Sequence, residues 1–355
     1  MPAALTEKFD NINLLRAFAA LVVVVYHVIE HGHWEAFPAQ GPLAVFRIGW
    51  IGVDIFFAIS GFVIVYSALH LYRRSPPGFQ AAYWARRISR IVPLYLLTLS
   101  LWVACEPGFF ERAGAWWQIV AHLLFVHNWF EGTHGAIDGV NWTLGVEMQF
   151  YVLVALLVRW IDRTPGWRIL LWCVVVSWAW RACMYALYAG DTSKLFLTTT
   201  QLPGALDEFG VGIFLAKRLL DGRLRMPRPR IAWPLLAVAT GWIAMTLYWQ
   251  HAGYWMFPGI VLFWRSAFAV FLLCLLAAAV SLPQVIAYKW LRPIDHLGEV
   301  SYGIYLWHLF AIQYAIYAAG YRGIEALAWV VALTVLAASL SWRYFEKPLM
   351  RLARR

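Results

Sequence analysis

Ten stretches of this chain are apolar for long enough to cross a bilayer, at about 13 to 30, 49 to 70, 91 to 105, 141 to 160, 168 to 189, 204 to 217, 232 to 250, 258 to 281, 298 to 318 and 324 to 342. In hydrocarbon no water satisfies a backbone N–H or C=O, so a chain of this kind has little choice but helices that bond internally. The expected fold is all-α: a polytopic integral membrane protein of about ten transmembrane helices, forming one domain over residues 1–355 with no appended soluble domain. The segment 115 to 130 is also apolar but carries His122, His127 and Asn128, and is expected to be re-entrant or interfacial. Only 14% of the 355 residues are charged, against the ~25% of a soluble domain. The 22 tryptophans gather near predicted helix ends, where an amphipathic ring suits the headgroup zone. A net charge of +10 would suit nucleic acid, but basic residues beside membrane helices set topology and meet anionic lipid, and nucleic acid is set aside.

Lys and Arg give the orientation. With the N-terminus in the cytoplasm, 23 of the 29 basic residues fall in cytoplasmic positions, including Arg73, Arg74, Arg86, Arg87 and Arg90 and the linker 218–230. Both termini are then cytoplasmic, and 115 to 130 does not span. Cys105, Cys173, Cys183 and Cys274 lack Cys-x-x-Cys spacing and read as small apolar core residues; no metal site is expected.

Arg16 and His27 share the first run, eleven residues apart. At ~100° per residue that places both on nearly one face, ~16 Å apart along the axis. In lipid each would be costly, so that face should turn toward protein or a water-filled cavity. His27 lies ~21 Å above the cytoplasmic start of its helix, and Glu147, six residues below the outer start of the fourth span, reaches a similar level. An imidazole beside a carboxylate would make a general-base pair, although a buried structural pair would use the same residues. Asp54 lies near the outer end of the second span, where it could order an acceptor or pair with Arg47. In Ala85-Arg-Arg-Ile-Ser-Arg90, Arg87 and Arg90 share a helical face suited to phosphate, while positive-inside topology alone would also place arginines there. His308, about mid-membrane in the ninth span, could line the same cavity as His27.

Five motifs occur in order: Arg16-x10-His27; Gly52-Val-Asp-Ile-Phe-Phe-Ala-Ile-Ser-Gly-Phe62; Arg87-Ile-Ser-Arg90 followed by Pro93-Leu-Tyr95; Trp142-Thr-Leu-Gly-Val-Glu-Met-Gln-Phe-Tyr151; and Ser301-Tyr-Gly-Ile-Tyr-Leu-Trp-His308. Together they resemble the membrane-bound acyltransferase family 3, which includes bacterial O-acetyltransferases of surface and secreted polysaccharides, over about residues 11 to 348. Thr143 stands where that family more usually has serine. The resemblance implies a protein of the bacterial cytoplasmic membrane that takes an acyl group from acetyl-CoA, or another acyl-CoA, on the cytoplasmic side. The acceptor is a polysaccharide or lipid-linked sugar hydroxyl on the far side. It implies His27 as the catalytic residue, Arg16 as its partner on the first helix, and Arg87 with Arg90 as donor-associated arginines. Glu147, at the depth counted above, is expected to aid His27, and Arg16, Arg86, Arg87, Arg90 and His308 are assigned to the donor. Asp54, Asn141 and Trp142 are assigned to the acceptor. The rival expectation from the same buried polar groups is a transporter or flippase of a lipid-linked sugar.

Overall fold

A computed structural model describes residues 9–222, 231–250, 254–283 and 291–353. Among these, 82% are helical and none is in a strand. The helices run in order as α1 (Asp10–His31), α2 (Ile51–Arg74), α3 (Phe79–Cys105), α4 (Ala115–Leu123), α5 (Trp142–Arg163), α6 (Gly166–Tyr188), α7 (Thr192–Thr199), α8 (Leu202–Leu220), α9 (Ala232–Trp249), α10 (Pro258–Ser281), α11 (Arg292–Glu299), α12 (Ser301–Ile312), α13 (Gly323–Ser341) and α14 (Lys347–Leu352). All ten apolar runs become helix. Eight helices are long and apolar enough to cross a membrane unaided. The other two runs are α8, which carries Asp207, Glu208, Lys217 and Arg218, and α12, which continues only as π-helical turns over Gln313–Ala318. Most of the linker expected at 218–230, together with Lys8 and Lys289, lies outside the described residues.

Several expectations change in detail. The third span begins at Phe79 rather than 91, so the basic cluster lies inside one 27-residue helix that continues through Pro93. The segment expected to be re-entrant does not cross: α4 has nine residues, ~13.5 Å of rise. A 3-10 turn, His127–Trp129, then returns the chain, with His122, His127 and Asn128 all buried. Its polar side chains are partly tied in by protein, with the His122 and His127 rings stacked 4.1 Å apart and Gln149 Nε2 donating to the Phe125 carbonyl and to Asn128 Oδ1. The four cysteines are free, but Cys105 and Cys183 are exposed rather than core, because the residues around them form the outer wall of the bundle.

α2 is the central helix and packs chiefly on α8, with α1, α5 and α10 around it. Small residues allow this closeness: a Cβ on Gly61 would lie 2.2 Å from the Phe209 carbonyl oxygen, and one on Gly212 would lie 2.2 Å from that of Ala58. α6, α9 and α13 show broad apolar faces, among them Trp172, Trp242 and Leu336, which suit acyl chains. Gly212→Val should therefore lower stability by about 1–3 kcal/mol, the usual range for overpacking, whereas Gly259→Ala, where a Cβ meets nothing within 4 Å, should be nearly neutral. Thermal unfolding in detergent reads both.

Candidate active site

α1 carries Arg16 and His27 past two cavities at successive levels. The first, about 140 Å³, is lined by Arg16 from α1, Ser60 from α2, Arg87 and Arg90 from α3, and Glu147 and Tyr151 from α5. Arg87 donates to Ser67 Oγ (3.2 Å) and lies over the Tyr83 and Tyr151 rings. Arg90 donates to the Glu299 carbonyl (3.0 Å) and stacks 4.5 Å above Trp342. Arg16 has no hydrogen bond or ion pair among the described residues. Three guanidiniums against one carboxylate, with one guanidinium unengaged, form a site for an anion. Arg86 is exposed and lines neither cavity, since its place on α3 is turned away from the face shared by Arg87 and Arg90.

The second cavity, about 530 Å³, is lined by His27, Asp54, Trp142 and Arg265 within a wall of rings from Trp50, Phe196, Tyr248, Tyr254 and Trp255. His134 also lines it and stacks on Trp142, 5.7 Å between centroids. Burial, reinforced by nearby His127, pushes His134 down to about 4, so it adds no positive charge at neutral pH. Asn141 does not reach the cavity. It is fully buried, and its carbonyl accepts from His127 Nε2 at 2.8 Å.

The expected pairing of His27 with Glu147 does not form. Ser60 Oγ (2.7 Å) and the Tyr151 hydroxyl (2.6 Å) both donate to Glu147 Oε1, and Glu147 lines the first cavity while His27 lines the second. Thr143, Glu147 and Tyr151 follow one another at i+4 along the α5 face that meets α2 and line the first cavity, whereas Trp142 lines the second. Residues counted along each helix put the two at one height, but Glu147 opens at the level of Arg16 and His27 at the next, because the count fixes neither the offset nor the rotation of one helix against another.

The partner of His27 is His308. Its Nε2 lies 3.1 Å from His27 Nδ1, and its Nδ1 lies 2.7 Å from the Tyr305 carbonyl oxygen. His308 is fully buried and lines neither cavity, so the geometry gives it no contact with a donor. A carbonyl can only accept, so for two neutral rings His308 carries its proton on Nδ1 and accepts at Nε2. His27 then carries its proton on Nδ1 and keeps a lone pair on Nε2.

Val53 and Tyr305 line both cavities and form the septum between them. The Tyr305 hydroxyl is fixed on the side of α5, donating to the Val140 carbonyl (3.1 Å) and accepting from Thr143 Oγ1 (3.0 Å).

Sequence reasoning missed a buried charge cluster. Asp54 pairs with Arg265 Nη1 (3.0 Å) and not with Arg47, which is spent on the main-chain carbonyls of Glu35, Phe37 and Pro38. Arg265 Nη1 also reaches Glu208 (3.0 Å), and Arg181 holds Asp207 with two hydrogen bonds. The signal was present as four ionisable residues inside apolar runs.

Helices long enough to cross a membrane here enclose an arginine-lined cavity on one side of a septum and a histidine pair beside a second cavity on the other. The family model described as an acyltransferase domain matches residues 9–345, and the chain belongs to that family of membrane acyltransferases. The O-acetyltransferase OatA of Staphylococcus aureus is 25% identical over 364 residues, covering 95% of this chain and 56% of the relative. The putative peptidoglycan O-acetyltransferase YrhL of Bacillus subtilis is 28% identical, covering 94% and 54%. The putative membrane-bound transacylase BcsY of Komagataeibacter xylinus is 26% identical, covering 95% and 82%. The chain thus spans about half the length of OatA and YrhL. No solved structure matches it.

If His308 sets the tautomer, His308→Gln, whose amide oxygen can still accept from His27 Nδ1, should retain far more turnover than His308→Leu, with KM little changed in either. ¹⁵N spectra of selectively labelled histidine should show His27 protonated on Nδ1 in the parent and redistributed in the leucine variant.

Proposed function

We propose that the protein is an O-acyltransferase that moves an acetyl or similar short acyl group from acyl-CoA, held at Arg16, Arg87 and Arg90, to a sugar hydroxyl in the His27 cavity. The observation that carries this reading is the pair of cavities meeting at Val53 and Tyr305, one offering an unengaged guanidinium and the other an imidazole with a free lone pair. The relatives' names, O-acetyltransferase and transacylase, support acyl transfer, and YrhL's name supports a glycan acceptor. Membership of an acyltransferase family favours the enzyme over the flippase. The positive-inside bias supports a cytoplasmic opening for the arginine cavity and cytoplasmic termini, in the inner membrane of a bacterium.

In this reading the donor phosphates rest on the arginines and the pantetheine arm passes the septum to bring its thioester beside His27. His27 Nε2 takes the proton of the acceptor hydroxyl as the oxygen attacks the carbonyl carbon. The tetrahedral intermediate collapses, the C–S bond breaks, and the leaving sulfur recovers the proton from His27, giving the ester and free thiol. Donation from its Nδ1 to His308 holds the imidazole in the competent tautomer throughout. Glu147, through Ser60 and Tyr151, shapes the donor side rather than assisting the base.

With purified protein in nanodiscs, His27→Ala should reduce acetyl transfer by at least ~10³-fold while leaving acetyl-CoA binding intact. Arg87→Ala and Arg90→Ala should each weaken that binding by roughly 10- to 100-fold, more at low salt, as expected for a charge-assisted contact of ~1.5–3 kcal/mol. Unchanged transfer by His27→Ala would overturn the assignment. Tyr305→Ala, which removes the septum ring, should raise acceptor-independent hydrolysis of acetyl-CoA several-fold, measured as free thiol released.

A further inference from the structure

The helical run from Gly323 to Leu352, made of α13, a π-turn over Trp342–Glu346 and α14, has 30 residues. At 1.5 Å per residue it rises about 45 Å against a hydrocarbon core of ~30 Å, so its last turns extend into the headgroup zone. The positive-inside bias puts that end at the cytoplasmic leaflet. There Trp342-Arg-Tyr-Phe-Glu-Lys-Pro-Leu-Met-Arg-Leu352 contains three sets of residues four apart. Arg343, Lys347 and Arg351 are exposed, and so are Tyr344, Pro348 and Leu352 beside them. Trp342, Glu346 and Met350 turn inward, Glu346 buried and the other two half-buried.

The inward set meets Arg90 of the first cavity. Its guanidinium stands 4.5 Å from the centre of the Trp342 ring, Met350 Sδ lies 3.9 Å from Nη1, and Nη2 donates to the Glu299 carbonyl at 3.0 Å. Ser341 Oγ, 3.2 Å from both Trp307 Nε1 and Glu346 Oε1, ties the π-turn to α12. Two of the three groups that fix this arginine therefore belong to the segment in the headgroup zone. The exposed cations Arg343, Lys347 and Arg351 have no ion-pair partner among the described residues. Cations beside an exposed tyrosine, proline and leucine complement an anionic phospholipid, whose phosphate suits the first group and whose upper acyl chain suits the second.

We propose that residues 342–352 dock on anionic phospholipid headgroups of the cytoplasmic leaflet, and that lipid held on the outer side of this segment steadies Arg90 through its inner side. Trp342 is then a positioning residue for the donor cavity, acting through Arg90. A docked segment keeps ring and sulfur against the guanidinium, so a donor meets Arg90 already ordered and less rotamer freedom is lost on binding. What Arg90 binds rests on the acyl-transfer reading, whereas the lipid docking does not. The sign of the effect separates the proposal from simple surface charge. A negative leaflet repels an anionic donor and would by itself weaken acetyl-CoA binding, while docking strengthens it.

Acetyl-CoA binding by the full chain in phosphatidylcholine nanodiscs, with and without an equal part of phosphatidylglycerol, tests this. Phosphatidylglycerol should tighten binding roughly 5-fold. With Arg343→Gln, Lys347→Gln and Arg351→Gln combined, binding in both discs should equal that of the parent in the neutral disc, and less phosphatidylglycerol should be retained in native mass spectrometry. Trp342→Leu should raise KM for acetyl-CoA about 10-fold with kcat unchanged, and Trp342→Phe, which keeps a ring against the cation, should preserve most of the affinity. Equal or weaker binding with phosphatidylglycerol, or a triple variant that keeps the parent's lipid response, would overturn the proposal. Failure of the acyl-transfer reading would show separately, as no acetyl-CoA binding in either disc, and phosphatidylglycerol retention by parent and triple variant then decides the docking alone.

Discussion

A polar group inside a bilayer must find its partner in the protein, and every functional feature of this chain follows from where those partners lie. α2 is the clearest instance. Its Ser60 satisfies Glu147 on one side, its Asp54 meets Arg265 on another, and its glycines let α8 approach to backbone contact, which brings Glu208 to the same guanidinium. One helix, buried along most of its length, thereby separates an arginine-rich chamber from the ring-walled one that holds His27. The separation is a matter of packing: Val53 on α2 and Tyr305 on α12 are the side chains common to both walls.

Much of this was legible in the residues. Length and apolarity place all ten helical runs, and the return of α4 was readable from the histidines and asparagine that interrupt it. The i, i+3 spacing of Arg87 and Arg90 correctly places them on a shared wall, and the eleven-residue interval between Arg16 and His27 correctly places both beside cavities. What periodicity could not supply was the rotation of one helix against another. Glu147 was assigned to His27 because rise per residue ignores how helices are offset and turned against one another, and the neighbour actually used, His308, lies 281 positions away on α12. Asp54 met an unsuspected arginine for the same reason. The charges at 181, 207, 208 and 265 were visible, but their grouping depends on how α6, α8 and α10 turn toward one another.

The exchange of carboxylate for imidazole beside His27 changes the chemistry in a definite direction. A carboxylate neighbour would stabilise the imidazolium and hold a permanent charge in a poorly solvated place. A neutral imidazole whose far nitrogen is tied to a carbonyl orients the base with no charge at all. The pair therefore costs little desolvation at rest, and in the proposed reaction positive charge would reside there only while a proton passes between oxygen and sulfur.

Tyr305 couples two things that a designer would keep apart. Its ring stands in the doorway between the chambers, and its own carbonyl oxygen is the anchor from which the proton positions of His308 and His27 are read. A side-chain swing alone clears the doorway and leaves that anchor in place, but any motion of the α12 backbone unlatches both histidines at once. In the proposed reaction the threshold would thus work as an interlock, with His27 armed as the base only while the main chain of the doorway residue keeps its helical register.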